Sequence, residues 1–375
     1  MKILFNKKKP EKNDRNIETA SQWKLIYWKF IQHKMAIIAI FVLLIFYIVA
    51  IFAGFFAAND IDTRFANMQN APPMKIHLFS EKGFEGFFVY PFQRELNRET
   101  FKYEYFPDKD KIVKIRLFQK GFNYKFLGFI PASRHFLAAE DKSPLLLLGT
   151  DGIGRCLYSR IIYGSQISLS IGLVGVFISF VIGVLVGSIS GYFGGIIDEA
   201  IQRVIDFIVS IPTMPLWMAL SAAIPRNWPV TKTYFMITII LSLVGWCSLA
   251  RTVRGKLLSL REEDFVSAAK VSGAGHFRII TRHLLPSFSS HLIVSITLSF
   301  PRMILSETSL SFLGIGMQPP AVSWGVLLQD AQNLLAIAAY PWQLSPAIFI
   351  IVVVLMYNFF GDGLRDAVDP YGVKH

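Results

Sequence analysis

Predominantly apolar runs recur near 35–57, 167–190, 204–224, 233–250, 288–310 and 344–360, each close to the roughly 17–25 residues that cross a bilayer as a helix. Between the first two lies a long polar stretch, 58–166. Within it FKYEYF (101–106), the turn-like PDKDK and IVKIRLF (112–118) alternate as a β-hairpin would, and aromatic GFNYKFLGF (121–129) offers a further strand. A connection of this length carries structure or function of its own. The pattern predicts an all-α polytopic membrane protein with six transmembrane helices and a small β-containing insertion between spans one and two. A functional flap and a plain structural cap fit that insertion equally well.

Composition agrees: 53% of the 375 residues are hydrophobic and the mean hydropathy is +0.44, too apolar for an ordinary soluble domain. The formal net charge of +12 changes the picture only through its placement. Lys7, Lys8, Lys9, Lys12, Arg15, Lys24, Lys29 and Lys34 precede the first span, and Arg251, Arg254, Lys256, Arg261, Lys270, Arg278 and Arg282 follow the fourth, whereas 311–343 holds no Lys or Arg. By the positive-inside rule the segment 1–34, the loop 251–287 and the tail 361–375 are cytoplasmic. Six spans return both termini to one side, in agreement. Cations massed beside spans point to lipid surfaces rather than nucleic acid. The first run, 35–57, exceeds a signal-peptide core of roughly 7–15 residues and reads as a retained span. Cys156, expected outside, and Cys247, expected within the fourth span, make neither a disulfide framework nor a metal site.

The loop after the fourth span reads DFVSAAKVSGAGHFRIITRHLLP from Asp264 to Pro286. Ser259 and Glu262 have capping-box spacing, predicting a helix from near Leu260 with Glu262, Glu263 and Asp264 in its first turn. Ala268 and Ala269 give it a small face, Gly273 and Gly275 stop it, and a second helix, 276–285, is expected to end at Pro286. Small residues let another surface approach the backbone closely, which suits a docking element.

This segment resembles the EAA loop of ABC importer permeases: Ala268, Ala269, Gly273, Leu285 and Pro286 match, with Ser267 where that family has Glu. LGTDGIGR (148–155), GYFGGIIDE (191–199), ETSLSFLGIGMQPPAVSWG (307–325) and GDGLRDAVDPY (361–371) are similar, in the same order, to the second permease subunit of dipeptide and oligopeptide importers. Cys156 and Gln166 stand where the family has Asp and Arg. The resemblance implies a type I permease fold over 167–360 in a bacterial inner membrane, a homologous second permease, two cytoplasmic ATPase subunits and an external solute-binding protein. It also implies coupling to the ATPases through Asp264, Ala268, Ala269, Gly273 and Pro286. Peptides are the expected cargo; oligosaccharides, nickel complexes and peptide-nucleotide antibiotics remain open, and no residue is singled out for substrate contact.

Other features are weighed on their residues. Gly175, Ser179, Gly183, Gly187, Gly191 and Gly195 make a small ridge at intervals of four, read first as helix packing. Pro212 and Pro215 should bend the third span. Glu307, an acid near the outer end of the fifth, is either functional or a tie for the adjoining loop. Trp217, Trp246, Trp324 and Trp342 suit interfaces or cavity edges. His276 and His283 read as surface or docking residues, and Asp151, Gly152 and Gly154 as a turn. The chain has neither a phosphate-binding G-x-x-x-x-G-K-[ST] nor H-E-x-x-H, so ATP hydrolysis is expected on other chains and no cofactor is expected. An ion-coupled secondary transporter and a non-transporting membrane anchor are the rival classes. The first would call for intramembrane acid or histidine relays and internal repeats, of which the chain shows little.

Overall fold

The computed structural model describes residues 21–368 apart from 81, 82, 100, 102, 127, 128, 141, 142, 226 and 333. The cations from Lys7 to Arg15 and the tail beyond 368 lie outside the described residues. Helix α1 (Gln22–Gln32) stops at His33, whose ring accepts the Ala36 N–H at 3.2 Å and so caps α2 (Lys34–Ile51). A short α3 (Ala53–Phe56) leads into the insertion. The second span, expected from 167, begins at Leu157: α4 (Leu157–Phe193) is followed by α5 (Gly195–Ser210), α6 (Thr213–Ala222) and α7 (Val230–Leu260). Beyond the loop at 261–288 come α11 (Ser289–Thr297) and α12 (Ser299–Phe312), then α13 (Trp324–Asp330), α14 (Leu334–Ala339) and α15 (Ser345–Val368).

Among the described residues four helices are long and apolar enough to cross a membrane, namely α2, α4, α7 and the run Pro341–Val368. The third and fifth spans are each a bent pair, α5 with α6 at 83° and His276–Ser287 with Ser289–Phe312 at 70°, giving up to six spans. Proline explains the first bend. Ile211 is extended and Pro212 caps α6 in a non-helical conformation. Pro215 then falls in the first turn of α6, where a missing N–H costs no helical bond.

The ridge of small residues on α4 packs inside this chain, against α7. A methyl on Gly187 would lie 2.5 Å from the Ala250 carbonyl oxygen and 3.0 Å from its Cα, and one on Gly191 would lie 2.7 Å from the Arg254 carbonyl oxygen. Ser242 Oγ donates to the Gly175 carbonyl at 3.1 Å, adding a polar tie. Gly195 falls outside the ridge: a methyl there meets nothing within 4 Å. Because backbone rather than a flexible side chain opposes Gly187, Gly187→Ala should cost about 1–3 kcal/mol. A fall in the temperature at which the detergent-solubilised protein stays monodisperse reports it. Gly255→Ala, with nothing within 4 Å of the added carbon, should match or slightly exceed the parent.

The insertion is β-rich, with pairings other than those expected. A four-stranded antiparallel sheet runs β1 (His77–Ser80), β2 (Gly83–Val89), β5 (Val113–Leu117), β8 (Leu137–Ala139). The strand at 101–106 does not pair with 112–118: β4 (Tyr103–Pro107) pairs with β3 (Phe92–Leu96), while β5 lies between β2 and β8. The strand expected at 121–129 is present as β6 (Lys120–Phe126), paired with β7 (Ile130–Arg134). Val89, Val113, Ile115, Leu145 and Leu146 form the insertion's core together with Cys156 at the start of α4. Both cysteines are buried, so neither thiol reports sidedness to a soluble reagent.

A buried ion cluster fastens the insertion's end to the helices. Asp151 Oδ1 accepts the backbone N–H groups of Ile153 (3.0 Å) and Arg155 (2.9 Å), which fixes the expected turn. Its Oδ2 accepts from Arg155 Nε at 2.7 Å and Arg160 Nη1 at 2.5 Å. Asp330, at the end of α13, stands 3.4–3.5 Å from both guanidinium groups. Burial pushes the Asp330 carboxyl above the ordinary carboxylate range, while Arg160 and Arg155 pull it back.

Candidate functional site

The loop between α7 and α11 is built from two short helices. The expected capping box does not form: Ser259 lies inside α7, which runs to Leu260, and Glu262 instead accepts from Arg261 Nε at 2.9 Å. Glu263 caps α8 (Asp264–Val271) through its backbone, placing Asp264 in the first turn, where the helix dipole favours a carboxylate. The helix stops as expected. Gly273 adopts φ +75° and donates to the Lys270 carbonyl, while Ala274 donates to that of Ala269, each at 3.0 Å.

The second helix departs from expectation at its end. α9 (His276–Ile279) widens into a π-turn (Ile280–Leu284) and continues as α10 (Leu285–Ser287). Pro286 therefore sits within helical backbone. The wider turn that precedes it accommodates a residue with no N–H to give. The chain bends two residues later, at Phe288.

Two faces result. Val266, Ile279, Ile280 and Leu284 are buried with Tyr192, Val253 and Leu257 from the ends of α4 and α7. His276 is exposed, as expected, and its Nδ1 also lies 2.8 Å from the Tyr192 hydroxyl, tying the loop to the end of α4. Arg254 clamps Asp198 of α5 with two bonds of 2.5 and 2.6 Å, and Ser190 Oγ donates to the same carboxylate at 2.5 Å. Those bonds tie Asp198 of α5 to the ends of α4 and α7 and brace the loop. The opposite face is open. Asp264, Ala268, Gly273 and Pro286 are exposed, and Ala269 is half-buried against the inner cluster. Asp264, Ala268, Ala269 and Gly273 thus share α8 and its stop. Pro286 is set apart, in the second helix beyond the stop and the π-turn.

Sequence reading missed the apolar part of this face: Val271 is 90% exposed, Phe277 77% and Phe265 41%. Bulky apolar residues flanking the glycine stop, in a loop otherwise rich in cations, were the signal for it. Large apolar side chains held outward on a braced element mark a contact surface.

The family model described as the binding-protein-dependent transport system inner membrane component matches residues 183–371. The chain belongs to this family. A second model, the N-terminal transmembrane domain of oligopeptide transport permease C, matches residues 21–73 of the permease. The oligopeptide transport system permease protein OppC of Haemophilus influenzae is 41% identical over 234 residues, 62% of this chain and 73% of that protein. OppC of Bacillus subtilis is 37% identical over 223 residues, 59% of this chain and 70% of its own length. The dipeptide transport system permease protein DppC of Bacillus subtilis is 39% identical over 223 residues, covering 59% and 68%. Among solved structures, the inward-facing MetNI methionine ABC transporter is similar with a TM-score of 0.45 at 19% identity, over 57% of this chain and 98% of that one.

The rest of the membrane region shows how this permease holds the loops between its helices. Glu307 is buried on α12, accepting from Ser311 Oγ at 2.8 Å and Ser168 Oγ at 3.4 Å. Ser311 Oγ also accepts the Met317 N–H, and Ser168 Oγ the Trp324 N–H, both at 3.0 Å. This network supports the reading of Glu307 as a tie for the 313–323 loop. Trp324 is fully buried and donates to the Ile161 carbonyl at 3.1 Å, whereas Trp342 Nε1 reaches the Thr150 carbonyl at 3.3 Å. Among the described residues no cluster of His, Cys, Asp and Glu is disposed to hold a metal ion.

Proposed function

We propose that this permease forms half of the translocation pathway of an ATP-driven bacterial importer of di- or oligopeptides. It pairs with a homologous permease and receives cargo from an external solute-binding protein. Two ATPase subunits drive it from the cytoplasm through the 264–286 element. The observation that carries the coupling role is the two-faced loop. Its inner face is locked to the ends of α4 and α7 by buried side chains and by His276. Its outer face offers Val271, Phe277, Ala268 and Gly273 to a partner. A push on that face moves α7 and the bent fifth span together, and these carry the tilt between inward- and outward-open states. The cations of α1 and of 251–282 support a cytoplasmic side for this loop and both termini. The peptide cargo rests on the likeness to OppC and DppC proteins.

Reconstitution tests the reading. In proteoliposomes containing both permeases, ATP-dependent peptide uptake should appear only when the ATPase subunits are present, and a loaded binding protein should raise ATP hydrolysis. Peptide uptake by this chain alone, driven by a proton or sodium gradient, would show a secondary transporter instead.

A further inference from the structure

The α12 helix carries a cation that neither the coupling element nor the loop ties use. Arg302 lies about 20 Å from the bend at Phe288 and about 15 Å from the helix end at Phe312, at 1.5 Å per residue. That places it near mid-membrane if Ser289–Phe312 spans. A guanidinium at that depth is costly unless it faces protein or a water-filled path. Its side chain is exposed on this chain, and it lines a cavity of about 530 Å³ between α4, the broken third span, α7 and α12.

The lining is one-sided in charge. Among the described residues no Asp or Glu contributes to it. Its second arginine, Arg251, is already paired with Asp206 at 2.5 Å, whereas Arg302 has no ion-pair partner among the described residues. Trp217 also lines this cavity, its Nε1 has no hydrogen-bond partner among the described residues, and an indole N–H can only donate. Ser299, Ser306, Thr213 and Ser248 add hydroxyl groups. A pathway wall offering a free guanidinium and an unused N–H, with no carboxylate beside them, suits an anion. The bidentate fork of arginine matches a carboxylate.

We propose that Arg302 is the carboxylate-recognition residue of the translocation cavity, engaging the C-terminal carboxylate of a peptide in transit with Trp217 as a second donor. The inference rests on the peptide reading above and adds a specificity determinant to it.

The test uses the full complex, both permeases with ATPases and binding protein, in proteoliposomes. The probes are one neutral peptide as free acid and as C-terminal amide, and the same amide carrying one Glu side chain. Each is supplied at a concentration that saturates the binding protein. The parent should favour the free acid. Arg302→Gln should lower free-acid uptake about tenfold or more and erase the acid–amide difference, with basal ATP hydrolysis and subunit co-purification unchanged. Arg302→Lys should recover part of the preference, and Trp217→Phe should weaken it.

Equal acid and amide uptake by the parent, unaltered in Arg302→Gln, would overturn the inference and leave the peptide reading standing. Preference of the parent for the Glu-bearing amide over the free acid would overturn the C-terminal assignment. Loss of the second permease from Arg302→Gln preparations, with all three probes falling alike, would make Arg302 an interface group instead. A parent complex that carries none of the probes would overturn the peptide reading and this inference with it.

Discussion

Asp151→Asn should leave the chain in the membrane yet cost it about 3–5 kcal/mol of stability, the range for removing one partner of a buried ion pair. The substitution keeps the side chain's shape, so the oxygen that accepts from Ile153 and Arg155 can stay. What changes is the other atom. An amide NH₂ replaces the oxygen that takes Arg155 Nε at 2.7 Å and Arg160 Nη1 at 2.5 Å, turning a donor toward two guanidinium groups. Arg160 is 1% exposed and cannot turn to water. Asp330 cannot take over, being 3.4 Å from Arg160 and already in contact with both arginines. Asp330→Asn should cost less, because Asp330 is 41% exposed and exposed pairs are worth about 0–1 kcal/mol. Thermal loss of monodispersity in detergent would rank the two. If Asp151→Asn melts with the parent, the cluster contributes orientation only.

The membrane helices were legible because a bilayer demands length and hydropathy of every crossing segment, and those are properties of single segments. What depended on partners was not. Alternation marked 101–106 and 112–118 as strands, but it carries no information on pairing, and β4 went to β3 while β5 went between β2 and β8. Asp151 appeared only as a turn residue, since the arginines it pairs with are shared with Asp330 of α13, far along the chain. In the same way the ridge from Gly175 to Gly191 announced close packing without naming α7 as the surface it meets.

Within the candidate site the division is the same. Asp264 in a first turn and Gly273 at a stop follow from local rules and are present. The capping box at Ser259 failed for a tertiary reason. Arg254 is clamped to Asp198 and Leu257 is buried against the loop, so α7 stays helical through Ser259, and a serine inside a helix cannot cap one. Pro286 failed as a terminator because the π-turn before it absorbs the missing donor. Arg302 drew no notice as one charge within an apolar run. Its meaning depends on the cavity that α7 and the broken third span place beside it.

Gly273→Val should insert and assemble with the second permease, yet lose ATPase association and uptake. At φ +75° a β-branched residue is strained, by about 1–3 kcal/mol, which loosens the stop between α8 and α9. The added carbon would meet nothing of this chain within 4 Å, so the chain itself has room for it. A collision would therefore come from a partner seated on the exposed face beside Ala268 and Val271. Gly273→Asn separates the two effects, because asparagine tolerates this backbone region but still projects a side chain. If a groove wall approaches Gly273, both variants uncouple; if strain alone acts, asparagine restores transport. Asp264→Asn should be mild, removing a dipole interaction worth about 0.3–1 kcal/mol. Uptake and ATPase co-purification separate these outcomes. Parental uptake by Gly273→Val would mean that force enters the membrane helices elsewhere than at this stop.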